Sequence, residues 1–177
     1  FIVDKRINEV NSYCGSFLPD WRPNRDFRTI YSANKEMGGG VHIDLIHEID
    51  YIYWFFGKPE NVNSFKSNKS SLDISAYDYA NYLFEYPRFS VSIVLNYFRR
   101  DIKRCLEIVC SEGTIKVDLL KNEVLYKNQV IFDSKKTLMD TYEDQLRFFI
   151  KNILKNKEDF NSINEAFQIL KLCIEKD

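Results

Sequence analysis

Residues 38–57, GGGVHIDLIHEIDYIYWFFG, contain both histidines of the 177-residue chain among mostly apolar neighbours. Apolar side chains recur in this stretch at the spacing of one helical face, namely Leu45, Ile46, Ile49, Ile52, Tyr53 and Phe56. Asp44 stands where an N-cap residue belongs, and Gly57 stands where helices commonly end. The pattern therefore predicts a helix over residues 44–56. The glycines before it indicate a backbone that turns tightly or lies close to another group.

A run of strand-like segments follows this helix. Apolar and polar residues alternate through residues 89–97, which predicts a strand with one buried face. The other segments with strand character are 9–13, 77–86, 104–110, 114–119, 123–126 and 129–132. Short turns join several of these segments as hairpins, so we expect a mainly antiparallel sheet.

Two amphipathic stretches, 142–154 and 166–174, close the chain, and Ser162 with Glu165 forms a capping-box pattern before the second. Helices and strands are segregated along the sequence rather than alternating. We therefore expect one α+β domain over residues 1–177: a large open, mainly antiparallel mixed sheet with helices packed on one face. Some strands carry apolar residues on both faces, so we expect a homo-oligomer in which a second copy covers the open face.

Composition excludes several classes of function. The formal net charge is −1 with both signs interspersed, so we expect neither nucleic acid nor a membrane as a partner. No apolar stretch is long enough to span a bilayer and no leader pattern is present, which predicts a cytoplasmic protein. The four cysteines form no CxxC pair, so we expect structural thiols.

The candidate chemistry lies at the start of the predicted helix. On a continuous helix Asp44 and His47 share a face, and Tyr51 continues that face one turn on. The first turn of a helix favours a neutral imidazole, which can accept or donate a proton, so the pair suits acid–base work on a substrate hydroxyl. Two alternatives stay open. Asp44 and His47 could be only a cap and a buried ring, or they could bind a metal with His42 and Glu48, although this set matches no standard ligand spacing.

A second candidate lies in the stretch WRPNR. Trp21, Arg22 and Arg25 could bind a phosphate or sugar by stacking and paired hydrogen bonds, or they could simply pack on the surface. Neither GxGxxG after a strand nor GxxxxGK[ST] occurs in the sequence. We therefore do not expect the chain to bind a dinucleotide strongly by itself.

These motifs carry a resemblance to a known family. GGGVHIDLIHEIDYIYWFFGKPENV, preceded by DWRPNRDFRTIYSA and followed by TYEDQLRFFIKNI, resembles the C-terminal domain of the glucose-fructose oxidoreductase/inositol dehydrogenase (Gfo/Idh/MocA) family. The resemblance implies an N-terminal Rossmann domain that binds NAD or NADP and is absent from this chain. It also implies an open-sheet domain that supplies the substrate site and the oligomer interface. The implied reaction is hydride transfer at a hydroxyl or ketone of a sugar, sugar nucleotide or cyclitol.

The resemblance also assigns residues. It implies that Asp44 and His47 are catalytic and assist a lysine of the cofactor domain. The family usually separates this pair by four residues, whereas here the separation is three. The further assignments are substrate binding by Trp21, Arg22, Arg25, His42 and Tyr51, and cofactor binding by Gly39 and Gly40. No metal site is assigned.

Three functions remain in competition. The first is an NAD(P)-dependent sugar oxidoreductase, of which this chain alone would be inactive. The second is a non-catalytic binding or assembly domain that kept the fold. The third is a metal-dependent sugar hydrolase or isomerase, which predicts activity of the isolated chain that a chelator abolishes.

Overall fold

The computed structural model describes residues 2–155 and 162–174, which form an eight-stranded sheet and four α-helices. The strands are β1 Ile7–Phe17, β2 Asn61–Ser67, β3 Tyr79–Tyr86, β4 Phe89–Asn96, β5 Phe98–Cys110, β6 Gly113–Asp118, β7 Glu123–Tyr126 and β8 Gln129–Asp133. The helices are α1 Val41–Asp44, α2 His47–Phe56, α3 Leu138–Leu154 and α4 Ile163–Ile174. The predicted α+β class with a large open sheet is confirmed.

The sheet has the strand order β2-β3-β4-β1-β5-β6-β7-β8. Strand β1 lies parallel to β4, with Tyr13 opposite Val94. On its other side β1 lies antiparallel to β5, with Tyr13 opposite Cys105. The remaining neighbours in this order are antiparallel. The sheet is therefore mixed but mainly antiparallel, as predicted.

The core lies between one face of the sheet and helices α1, α2 and α4. Ile49 and Ile52 of α2 are fully buried, as is the inward row of β4, which includes Ile93. Helix α4 is fixed to this layer by polar contacts as well as packing. The Tyr82 hydroxyl donates to the Cys173 carbonyl oxygen at 2.9 Å, and the Cys173 thiol donates to the His42 carbonyl oxygen at 2.8 Å. The sheet, α1 and α4 therefore meet at one point.

Helix α3 contains the whole stretch 142–154 that the apolar periodicity predicts and begins four residues before it. It begins with a capping box in which Thr137 and Asp140 bond each other's backbone N–H groups. Its apolar residues nevertheless stay exposed, namely Met139, Tyr142, Leu146, Phe149, Ile150, Ile153 and Leu154. Helix α4, by contrast, buries Ile169 and Cys173. Periodicity identifies the apolar side of a helix, but it does not identify what that side contacts.

The sheet face opposite the helices is open. Phe65, Leu83 and Phe98 on or beside this face are each more than a third exposed. The Tyr79 and Phe98 rings stack with their centroids 6.3 Å apart.

No helix in the described part of the chain has the length and hydropathy needed to cross a bilayer. All four cysteines are free thiols.

Candidate active site

The helix predicted over residues 44–56 is broken near its start. Asp44 is the last residue of α1 and His47 the first of α2, and Leu45 with Ile46 connects them. The prediction that Asp44 caps one continuous helix is wrong, although the helix end at Gly57 is confirmed by its N–H bond to the Tyr53 carbonyl. Since α2 begins after Ile46, its first turn does not use the Asp44 carboxylate. That carboxylate is free to bond elsewhere.

Two tyrosine hydroxyls bind the Asp44 carboxylate. Tyr31 donates to Oδ1 at 2.8 Å and Tyr97 donates to Oδ2 at 2.6 Å. Tyr97 is buried, whereas Tyr31 is 44% exposed. The hydrogen bond to Asp44 raises the pKa of Tyr31, so this phenol stays protonated near neutral pH. Asp44 is therefore a fixed acceptor with one solvent-facing tyrosine beside it.

The Trp-Arg loop lies against the same group of residues. The Trp21 ring meets the Tyr97 ring edge-on at a centroid distance of 5.4 Å, and its indole N–H donates to the Ser16 hydroxyl at 2.9 Å. The positive charge of Arg22 acts on the Tyr31 hydroxyl and opposes the rise in its pKa. Trp21 and Arg22 are exposed. The structure thus brings Trp21 and Arg22 to the surroundings of Asp44.

Arg25 lies one turn further along this loop. Its backbone N–H bonds the Arg22 carbonyl oxygen at 3.0 Å, and the residue is exposed. The loop therefore carries two exposed cations on a tight turn.

His47 has a different carboxylate partner. Its Nε2 lies 3.2 Å from Oε1 of Glu48, and the histidine side chain is 47% exposed. Glu48 is fully buried and also accepts from Arg104 Nε at 2.6 Å and from the Tyr51 hydroxyl at 2.9 Å. Burial raises the pKa of Glu48, but His47, Arg104 and Tyr51 together bring it below its ordinary value. The Glu48 carboxylate is therefore held ionised inside the protein.

Tyr51 belongs to the interior side of this network. Its hydroxyl lies 2.7 Å from the Ser12 hydroxyl as well as bonding Glu48. The predicted face that His47 shares with Tyr51 does form, but the Tyr51 hydroxyl is engaged by the protein's own groups.

His42 is buried, with its ring edge-on to Tyr77 at a centroid distance of 5.5 Å. Its Nδ1 has no hydrogen-bond partner among the described residues. Burial, followed by the positive charge of Lys66, lowers the pKa of His42 from 6.5 to about 4. The ring is therefore neutral at physiological pH.

The glycines that precede α1 are explained by close packing of the chain on itself. A Cβ at Gly39 would lie 1.9 Å from the Tyr31 carbonyl oxygen, and one at Gly40 would lie 2.6 Å from the His42 ring. Gly38 adopts a left-handed conformation with open space around it. Gly39 thus allows the backbone of Tyr31 to approach the start of α1, which positions the tyrosine whose hydroxyl binds Asp44.

The four residues of the metal alternative do not meet at one point, although His47 contacts Glu48. His42 faces Tyr77, Asp44 is bonded by Tyr31 and Tyr97, and Glu48 is paired with Arg104. Within residues 2–155 and 162–174, no group of three or more acidic, histidine or cysteine side chains is arranged to hold a metal ion.

Sequence reasoning missed Tyr31 and Tyr97, named Glu48 only as a ligand in the metal alternative, and missed its partner Arg104. A signal for the last two was available. Glu48 falls on the apolar side of the helix and Arg104 has the parity of the inward-facing residues of its strand. Because an ionised side chain in a core needs a partner, the two positions together predict a buried ion pair.

Comparison with known proteins identifies the family. The sequence profile described as GFO/IDH/MocA C-terminal domain matches residues 1–116. The chain belongs to the Gfo/Idh/MocA family. No curated protein sequence gives a significant match to the chain.

Solved structures share the fold of this Gfo/Idh/MocA chain. The myo-inositol 2-dehydrogenase of Lactobacillus plantarum is 18% identical with a TM-score of 0.68, over 95% of this chain and 52% of its own. The UDP-N-acetylglucosamine 3-dehydrogenase of Acidithiobacillus ferrooxidans is 13% identical with a TM-score of 0.71, over 96% and 52%. The WlbA dehydrogenase of Bordetella pertussis, solved with NADH and UDP-GlcNAcA, is 18% identical with a TM-score of 0.67, over 94% and 51%. The chain spans about half the length of each.

Replacing Gly39 by Ala should destabilise the protein far more than replacing Gly38. The methyl group of an alanine at position 39 would overlap the Tyr31 carbonyl group, which we expect to lower the free energy of unfolding by about 3 kcal/mol or more. Gly38→Ala introduces only a left-handed alanine in open space, at about 1 kcal/mol. Urea unfolding of both variants measures the difference. Equal midpoints for the two variants would contradict the packing role of Gly39.

The buried neutral His42 should make the protein less stable in mild acid. Its pKa is about 4 in the fold and 6.5 ordinarily, so the unfolded chain binds more protons as pH falls through this window. The contribution of the neutral His42 ring to the free energy of unfolding is fully present above pH 6.5 and is lost as the pH falls toward 4. Allowing for partial solvent screening, the loss is on the order of 2 kcal/mol.

His42→Phe tests this pH dependence because it keeps a ring against Tyr77 and removes the titration. We expect urea midpoints of wild type and variant to be close at pH 7.5 and the variant to be more resistant at pH 5. A variant whose midpoint falls with pH as steeply as that of wild type would show that His42 does not titrate in this way.

Proposed function

We propose that the 177-residue chain is the substrate-side domain of a longer NAD(P)-dependent oxidoreductase that acts on a hydroxyl or ketone of a sugar, sugar nucleotide or cyclitol. Family membership supports the general chemistry. The observation that carries the proposal is the exposed His47 imidazole at the start of α2, with the tyrosine-bound Asp44 carboxylate three residues before it. The chain alone lacks a dinucleotide motif, so we expect it to be inactive by itself.

Each residue has a defined task in this proposal. A nicotinamide cofactor, bound by another part of the full-length protein, supplies or accepts the hydride. His47 accepts the proton of the reacting hydroxyl or returns it to the carbonyl oxygen, together with the lysine of the cofactor domain that the family resemblance implies. Asp44 accepts a hydrogen bond from a substrate hydroxyl, since each of its oxygens keeps a lone pair beyond the tyrosine bond.

The Trp-Arg loop supports an anionic substrate. Arg22 and Arg25 are exposed cations on one turn, and guanidinium groups bind phosphate and carboxylate oxygens in pairs. Trp21 offers an apolar face for a sugar ring or base. Two of the structural neighbours are named for UDP-sugar substrates or bind one, which is consistent with an anionic sugar nucleotide.

Four other assignments stay predictions. Contact of His42 and Tyr51 with substrate, and of Gly39 and Gly40 with cofactor, would require these groups to reach a ligand from the enclosed positions described above. The cytoplasmic location likewise stays a prediction.

A non-catalytic binding or assembly domain is the second candidate function. Asp44 and His47 each have their own protein partners and are one residue closer in sequence than the family pattern, which favours loss of the chemistry. Titration of the full-length protein with NADH separates the two, because an assembly domain predicts no binding even at millimolar cofactor.

The dehydrogenase proposal predicts a large effect of His47→Ala. In the full-length protein, assayed by nicotinamide absorbance over a panel of sugars, sugar nucleotides and inositols, we expect kcat/KM to fall on the order of 10²–10⁴-fold because the proton acceptor is lost. Glu60→Gln, an exposed change just before β2, is the matched control. Turnover of His47→Ala at the wild-type rate would remove His47 from the mechanism.

The open sheet face supports a homo-oligomer. Phe65, Leu83 and Phe98 place large apolar groups where a sheet face normally needs cover. We therefore propose that a second copy packs on this face.

Leu83→Arg should weaken self-association, because it places a charge in the middle of the proposed interface. Light scattering after size-exclusion chromatography measures the mass. Val3→Arg, at a residue that is exposed but outside the sheet, is the control. A wild-type monomer, or an oligomer that survives Leu83→Arg unchanged, would contradict the proposed interface.

A further inference from the structure

The Glu48 carboxylate is the end of a buried chain of polar groups. Oε1 faces both Arg104 Nε at 2.6 Å and His47 Nε2 at 3.2 Å, and Oε2 accepts from the Tyr51 hydroxyl at 2.9 Å. Tyr51 in turn meets the Ser12 hydroxyl of β1 at 2.7 Å. The carboxylate is thus fixed from two strands and from its own helix.

Glu48 has a permanent cation beside it in addition to the histidine. Arg104 supplies the opposite charge, and its side chain is only 33% exposed. His47, Arg104 and Tyr51 all lower the pKa of Glu48 against the effect of burial. Glu48 is therefore a carboxylate near neutral pH, and a carboxylate only accepts hydrogen bonds. A neutral His47 can still donate to it.

This geometry decides which nitrogen of His47 carries the hydrogen. Nε2 lies 3.2 Å from a carboxylate oxygen, which accepts hydrogen bonds and cannot donate them, so this contact favours the tautomer with its proton on Nε2. Nδ1 is then the nitrogen with a free lone pair, on a side chain that is nearly half exposed.

We infer that Glu48 is the positioning residue of His47, and that it holds the imidazole in the Nε2–H tautomer with Nδ1 as its proton-accepting atom. The inference rests on the proposed function only for the use made of Nδ1. The carboxylate beside the imidazole is that of Glu48, and the Asp44 carboxylate binds Tyr31 and Tyr97 instead. The Arg104–Glu48 pair fixes the position of the carboxylate, and His47 is the residue that exchanges the proton.

Nitrogen NMR of the 177-residue chain tests the inference without substrate or cofactor. The chain has two histidines, and the spectrum of His42→Phe identifies the signals of His47. At a pH where His47 is neutral, we expect widely separated Nδ1 and Nε2 resonances with the proton on Nε2, as a single tautomer requires. In Glu48→Leu the two resonances should move toward each other, because both tautomers become populated.

Two matched variants distinguish the loss of the Glu48 carboxylate beside His47 from a general weakening of the hydrogen bonds around Glu48. Tyr51→Phe removes a hydrogen bond to Glu48 but keeps the carboxylate, so the His47 resonances should stay separated. Glu48→Gln keeps an acceptor oxygen for Arg104 and His47, so the Nε2–H tautomer should largely persist. An amide fingerprint spectrum confirms that each variant is folded.

Several outcomes overturn the inference. These are averaged nitrogen resonances in the wild type, a wild-type proton on Nδ1, or a folded Glu48→Leu variant with unchanged His47 resonances. If Glu48→Leu does not fold, the wild-type spectrum is the test: a single Nε2–H tautomer supports the inference, and a mixture of tautomers, as in a free imidazole, contradicts it. If the NMR experiment contradicts the positioning role of Glu48, the dehydrogenase proposal still stands. If His47 has a single tautomer but His47→Ala keeps the wild-type turnover, the catalytic role of His47 is contradicted and the positioning role of Glu48 still stands.

Discussion

The buried ion pair between Glu48 and Arg104 is the interaction on which the fold and the candidate site both depend. It joins the first turn of α2 to β5 in a region where an unpaired charge would be costly. Tyr51 and Ser12 extend it to β1, the strand at the centre of the sheet order. Because the same carboxylate touches His47, the position of the imidazole is set by the packing of the helix on the sheet.

The break between α1 and α2 divides the candidate site into two supported halves. On one side the Asp44 carboxylate is bound by Tyr31 and Tyr97, with Trp21 packed on Tyr97. On the other side His47 is held by Glu48. A short Asp-to-His spacing on an unbroken helix would have made one dyad. The break gives each group its own partner, and Leu45 with Ile46 joins the two halves along the chain.

Much of the fold follows from local sequence patterns. Alternation in residues 89–97 predicted a strand with Val91, Ile93 and Leu95 inward, and these residues are fully buried. The position of α4 could be predicted because Ser162 accepts from the Glu165 N–H and an apolar stripe follows. The parallel pairing of β1 with β4 could not, since period-two patterns are the same for both directions. The exposed stripe of α3 could not either, because periodicity contains no information about contacts.

The chemistry of the site was only partly accessible from sequence. Asp44 and His47 could be singled out because polar residues opened an apolar helix. The partners of Asp44, Tyr31 and Tyr97, lie 13 and 53 residues from it in sequence, and only the folded backbone shows that Gly39 lets residue 31 approach. The helix break was hidden because Leu45 is a good helix former and neither Leu45 nor Ile46 is a helix breaker such as Gly or Pro, so propensity gives no signal for a break there.

The central place of β1 governs the order in which the sheet can assemble. Both neighbours of this early strand, β4 and β5, come much later along the chain, and Tyr13 pairs with Val94 and Cys105. The hairpins from β5 to β8 and from β2 to β4 close over short distances and need no help from β1. Strand β1 therefore has both of its neighbours only once the chain extends to Cys110, and its pairings close longer loops, at a larger cost in chain entropy, than these hairpins do.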